Sequence, residues 1–179
     1  MLINSNCLFI SYDGLSDPLG QSQILPYITD LSSHTKEFHV ISFEKKQRLI
    51  KLEKKIENVL RKSGVNWHRQ SFTSELGKIG KLYDLTKIFI LTFYIILKFD
   101  IKIIHGRGLI PSFIGLFIKK IFFLKKTKLI FDCRGLWADE RLDNKILNLN
   151  NIFDKFIYKL LKKIEKWCLF NSNYIVFLT

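Results

Sequence analysis

Apolar residues fall into two alternating rhythms along the chain. Short compact runs at residues 7–10, 38–43, 65–68, 101–104, 129–131 and 174–178 are rich in Ile, Val and Phe and read as buried strands. Between them, apolar positions recur at spacings of three and four, the signature of amphipathic helices. Residues 24–31 form the first such segment. Residues 48–62 form the second, with Leu49, Leu52, Ile56, Val59 and Leu60 on one face and Gly64 as its cap. A third is reached through TSELGKIGKLYDL and runs to about residue 98, a fourth opens at Pro111 and continues to 122, and the last spans 152–170. In that last helix Phe153, Phe156, Ile157, Leu160, Leu161, Ile164 and Trp167 keep the helical period.

Strands alternating with amphipathic helices predict an α/β fold: a doubly wound parallel sheet in a Rossmann-like three-layer α/β/α arrangement. With 179 residues, 47% of them apolar, the chain suits one domain with one substantial core, and it shows no internal repeat. Ligands of such sheets lie beyond the carboxyl ends of the strands. The loops DGLSDPLGQS, HGRG and CRGLWADER follow the first, fourth and fifth strands, so they are expected to gather at one edge and form a cleft.

Composition narrows the class. The longest apolar run, residues 88–97, falls well short of the roughly 20 residues that span a bilayer, which predicts a buried helix. The opening MLINSNCLFISYDG lacks a basic region and a long apolar core, so a cytoplasmic location is expected. Cys7, Cys133 and Cys168 are far apart and lack CxxC spacing, which indicates neither a disulfide framework nor a zinc site. The net charge of +13 accompanies abundant Lys, Ile, Asn and Phe and a single alanine, Ala138, a bias that an AT-rich genome produces by itself. A field of that sign still attracts lipid headgroups, nucleotide phosphates or nucleic acid. Lys45, Lys46, Lys51, Lys54 and Lys55 crowd the second helix together with Arg48 and Lys62, and further lysines stand at 119, 120, 125, 126 and 128. They form either a solvated face or a contact to an anionic membrane. The aromatic residues keep core spacing, which argues against stacking on nucleic acid.

Glu44 follows the second strand, where a ribose-binding carboxylate would sit, but the glycines do not make GxGxxG and no GxxxxGK[ST] occurs. The segments SYDGLSDPLGQSQILPY, HGRG, FDCRGLWADER and YKLLKKIEKWCLFNSNYIVFLT, in this order, resemble the amino-terminal domain of family 4 glycosyltransferases. Those are GT-B enzymes with two facing Rossmann-like domains, the amino-terminal one recognising the acceptor and the carboxyl-terminal one holding the nucleotide-sugar. The resemblance implies that residues 1–179 are one acceptor-side domain and that the donor-binding domain, which would follow the IVFLT strand, is absent. It implies a truncated or split enzyme, inactive alone, that transfers a sugar with retention to a glycan or lipid-linked acceptor, as in polysaccharide biosynthesis, peripheral on the inner membrane face. It carries no cofactor or metal of its own. A non-catalytic membrane-docking or scaffold subunit, or an inactive fragment, is the alternative.

Candidate site residues follow from the loops. Gly20, Gln21 and Ser22 stand at the start of the first helix, where free N–H groups favour a diphosphate or a sugar hydroxyl; ordinary helix entry is the plainer reading. By resemblance His105 contacts the acceptor or the transferred sugar, against a plainer role as a partly buried core histidine. Arg107 is placed to bind phosphate or to stand as a solvated loop cation. Asp132, Arg134, Asp139 and Glu140 are placed to bind sugar hydroxyls or an acceptor phosphate, or to fold their loop as a salt-bridge network. Asp132 and Arg134 lie nearest the buried strand, while Asp139 and Glu140 point apart if the loop is extended, leaving one for the cleft.

Overall fold

The computed structural model describes residues 5–73, 77–124 and 126–177. Residues 74–76, Lys125 and Leu178, on which parts of the expected third helix, lysine cluster and last strand fell, lie outside them. The strands are β1 (Cys7–Ser11), β2 (Phe38–Glu44), β3 (Val65–Ser71), β4 (Ile103–Arg107), β5 (Lys128–Cys133) and β6 (Tyr174–Phe177). A π-helical turn, Gly20–Ile24, runs into α1 (Leu25–Ser32), and the other helices are α2 (Lys46–Lys62), α3 (Gly77–Lys98), α4 (Leu109–Ile121), α5 (Trp137–Asp143) and α6 (Ile152–Asn171). All strand pairs are parallel, in the order β3-β2-β1-β4-β5-β6. This is the expected doubly wound three-layer sheet.

The order reverses between β1 and β4, which places the switch point where the loops after those strands splay apart. β1 pairs on both sides and is buried at every position, so its apolar run lacks polar alternation. Two cores flank the sheet. Leu8, Ile10, Ile104 and Phe131 pack on the side of α3, α4 and α6, and Phe9, Val40, Ile56 and Leu60 pack on the side of α1 and α2. The three cysteines are buried and unpaired. Among the described residues no helix is long and apolar enough to cross a membrane.

Two expectations need correction. His105, Gly106 and Arg107 lie within β4 and not beyond it. Gly106 pairs with Ile10 on one side and Phe131 on the other, so the ladder continues through the glycine. Residues 137–143 form a helix instead of an extended loop, because the buried carboxylate of Glu165 accepts the amide N–H of Ala138 at 2.8 Å and satisfies the helix start.

Gly106 sets the distance between β4 and α4. A Cβ there would lie 2.6 Å from the backbone of Ser112, whose hydroxyl donates to the Gly106 carbonyl at 2.8 Å. Gly106→Ala is therefore expected to destabilise the fold by about 1–3 kcal/mol. Thermal unfolding checks this, and an unchanged melting temperature would show that α4 is free to move outward.

Candidate functional site

The first loop is built around Glu44. Its carboxylate is buried and accepts from Leu15 N at 2.7 Å, Ser16 N at 2.9 Å, the Ser16 hydroxyl at 2.5 Å and the Ser42 hydroxyl at 2.6 Å. The group placed by sequence where a ribose would bind is thus consumed in folding the loop. Gly20 begins the π-helical turn pressed on that loop, for a Cβ there would lie 2.1 Å from the Gly14 carbonyl oxygen. Gln21 donates from Nε2 to Leu15 O at 2.6 Å, and Ser22 donates to Pro18 O at 2.9 Å. These two side chains therefore fasten the turn. The next residues along reach the sheet: Gln23 Oε1 accepts from Arg107 Nη2 at 2.9 Å, and the Tyr27 ring stands edge-on to His105 at 5.6 Å.

β4 presents His105 and Arg107 on one face, two residues apart. His105 is 2% exposed and packs between Phe9, at 4.9 Å, and Tyr27. Its Nε2 is buried without a hydrogen-bond partner among the described residues. Burial, reinforced by the Arg134 and Arg107 charges, pushes its pKa down to about 4. The imidazole is therefore neutral at physiological pH, with one ring nitrogen free to meet a hydroxyl.

Arg107 is also buried, and burial followed by the Arg134 charge pushes its guanidinium below the ordinary range. Asp132, opposite it in the β4–β5 register, is its counter-ion at 3.5 Å, a separation that leaves Arg107 Nε and Nη1 without hydrogen bonds. Arg134 Nε lies 2.8 Å from Asp132 Oδ1 and 3.0 Å from Oδ2. Two guanidinium groups thus share one carboxylate, and the excess positive charge with spare N–H donors suits an anion or an array of sugar hydroxyls. Gly108 N donates to Asp132 O at 2.8 Å and ties the β4 and β5 loops together.

The remaining candidates are spread more widely. Asp139 turns to α6, where it accepts from the Tyr158 hydroxyl at 2.7 Å and Lys162 Nζ at 2.8 Å, bonds that hold its carboxyl below the usual range. Glu140 folds back against Gly135, is exposed and makes no side-chain hydrogen bond among the described residues. Lys45 pairs with Asp17 at 3.0 Å, and Lys46, Lys51, Lys54 and Lys55 are exposed on α2, on the other side of the sheet from α4 and α6. Gln23 and Tyr27 were not anticipated. Their spacing of four, directly after the Gly20 turn, is the signal that puts both on one helix face. Among the described residues no three His, Cys, Asp or Glu side chains are arranged to hold a metal ion.

No protein-family model and no curated protein matches the chain. Among solved structures it is similar to the crystal structure of Anabaena Alr3699/HepE in complex with UDP and glucose, with a TM-score of 0.44 and 11% sequence identity over 77% of this chain. The matched part is 32% of that protein, so this chain spans about a third of its length.

His105 predicts a pH dependence of stability. The unfolded chain takes up the histidine proton near pH 6.5 and the folded chain only near pH 4, so stability is present above pH 6.5 and is lost as pH falls between those values. The slope contributed by His105 approaches about 1.4 kcal/mol per pH unit. Denaturant unfolding at several pH values should show that slope shrinking in His105→Phe; an undiminished slope would assign it to other groups.

Proposed function

We propose that this chain is the acceptor-side half of a glycosyltransferase that moves a sugar from a nucleotide-sugar to a glycan or lipid-linked acceptor. The observation that carries this reading is the pair of unsatisfied groups on β4. His105 Nε2 and the Arg107 Nε and Nη1 atoms are buried without hydrogen bonds at the carboxyl edge of a central strand. Unpaired buried polar groups are costly, and a bound ligand is one way they become satisfied. The first three of the motifs that resemble family 4 transferases span the carboxyl ends of β1, β4 and β5 at this same edge.

In this reading neutral His105 orients an acceptor hydroxyl through Nε2. Arg107 and Arg134 pair with an acceptor phosphate or with sugar oxygens, while Asp132 holds both guanidinium groups in place. Gly20 allows the approach of the helix start to the loop, and Glu140 is the exposed carboxylate at the rim. A second Rossmann-like unit facing this edge holds the nucleotide-sugar, as a separate donor-binding subunit or another part of a longer protein. The bond from the anomeric carbon to the diphosphate breaks as the acceptor oxygen takes its place, the acceptor hydroxyl's proton passes to the departing diphosphate, and the protein works by positioning and electrostatics.

Extracts of cells producing the chain, given labelled nucleotide-sugars, should incorporate sugar into the glycan or lipid fraction, and the purified chain alone should not. His105→Asn and Arg107→Gln should each lower incorporation by roughly 100-fold or more, the range lost with a positioned acid–base or charged group. Circular dichroism melts separate this from unfolding. Incorporation that survives both substitutions would remove the site, and turnover by the purified chain would remove the division into halves.

A further inference from the structure

The layer formed by α3, α4 and α6 is apolar on both of its sides. Its inner side packs on the sheet, as a covering helix must. Its outer side repeats the pattern. On α3 the exposed residues Ile79, Tyr83, Ile90, Tyr94 and Leu97 make one stripe, each at least half exposed. On α6 Phe153, Phe156 and Phe170 are exposed in the same way, and Leu160 slightly less. The shorter α4 lies recessed between them, and its Phe113 and Phe117 line two adjoining apolar cavities of about 500 and 620 Å³ that also share Ile164. Isolated exposed apolar residues are ordinary on a protein surface, but this many on three neighbouring helices are not.

Charge decides what such a face fits. Lys155, Lys159, Lys163 and Lys166 stand exposed beside the aromatic stripe of α6, and Lys119 and Lys120 close α4. The acidic residues of these helices are Asp84, Asp154 and Glu165. Asp84 and Glu165 are buried, and Asp154 accepts from Asn148 N at 3.0 Å. A second copy of the chain would bring lysines against lysines across a symmetric contact. α2, on the other side of the sheet, is basic without being apolar: Ile50 is its exposed large apolar residue, Arg48 pairs with Asp17, and its own Glu53 and Glu57 pair with Arg69 of β3.

We infer that the α3–α4–α6 layer is a membrane-docking face that takes an anionic bilayer. Its aromatic and aliphatic side chains enter the headgroup region, and its lysines pair with lipid phosphates, the combination that seats amphipathic helices in an interface without spanning it. The inference stands independently of the transferase reading. Leu109, Ile110 and Trp137, which line the smaller cavity, come directly after the Arg107 and Arg134 segments in the chain.

Sedimentation with phosphatidylcholine vesicles, with and without phosphatidylglycerol, tests it. The chain should bind the vesicles containing phosphatidylglycerol and release as salt rises. Phe153→Ser with Phe156→Ser should abolish binding, and Lys155→Glu, Lys159→Glu and Lys163→Glu together should weaken it by roughly tenfold or more. Lys51→Glu, Lys54→Glu and Lys55→Glu on α2 should leave most of it. These residues are exposed, so melting temperatures should hold in every variant, and the lysine set gives the answer should the phenylalanine pair fail to fold. Absence of vesicle binding, equal loss from the α2 and α6 reversals, or a monomer–dimer equilibrium abolished by Phe156→Ser would each overturn the inference, the last by making the face a self-association surface.

Discussion

The carboxylate of Glu44 is the fixed point on which the sheet edge depends. A buried carboxylate is stable only when its oxygens are satisfied, and here four N–H and O–H donors converge on it with no cation needed. Two of those donors are backbone amides of the first loop, so folding β2 and its neighbour simultaneously folds the loop after β1. The loop then receives Gly20 against its own carbonyls, and the π-helical turn that begins there aims Gln23 and Tyr27 at β4. Side chains distant in sequence meet at one edge because a single acid at a strand end dictates where a helix starts.

What that edge presents is an imbalance of charge. Asp132 is nearly inaccessible and is flanked by Arg107 and Arg134, so the cluster keeps one positive charge more than it neutralises. Water cannot compensate a cation that is itself buried, and Arg107 retains donors that nothing in the described chain occupies. Burial keeps His105 neutral, and the same field reinforces it, because a proton on the desolvated ring would also face two guanidinium groups.

The sheet was legible because its strands are continuous apolar runs and its long helices keep a clean period. Of the candidate site the sequence offered the residues and not their arrangement: Arg107, Asp132 and Arg134 meet as one charged cluster, and His105 lies in the middle of β4 on the same face as Arg107. What escaped the sequence was non-local. HGRG reads as a loop after the fourth strand, yet Gly106 is paired on both sides and owes its place to the Ser112 backbone packed on it. α5 has seven residues and no apolar period, and what starts it is Glu165, a carboxylate 27 positions away in another helix. Asp139 could not be assigned a direction before α6 was known to bring Tyr158 and Lys162 to it. Gln23 and Tyr27 carried a local signal, but it gains meaning only once the turn before them is seen to point at β4.

In the sequence the lysine excess is open between a solvated face and a membrane contact, and the fold divides it between two unlike surfaces. On α2 the basic residues stand over a helix whose apolar residues, Ile50 apart, face the core, and Asp17 of the first loop pairs with Lys45 and Arg48 at its start. On α6 the lysines border apolar residues that the core leaves uncovered, and the acids of that layer are buried or engaged. The difference is not in the charged residues but in what lies between them. A cation over a polar face needs only water, whereas a cation beside exposed phenylalanine belongs to an amphipathic surface whose apolar part gains by leaving water. Because α4 connects that surface to the end of β4 through Leu109 and Ile110, the exposed layer and the charged edge are two ends of one packed unit, and whatever seats the first constrains the approach to the second.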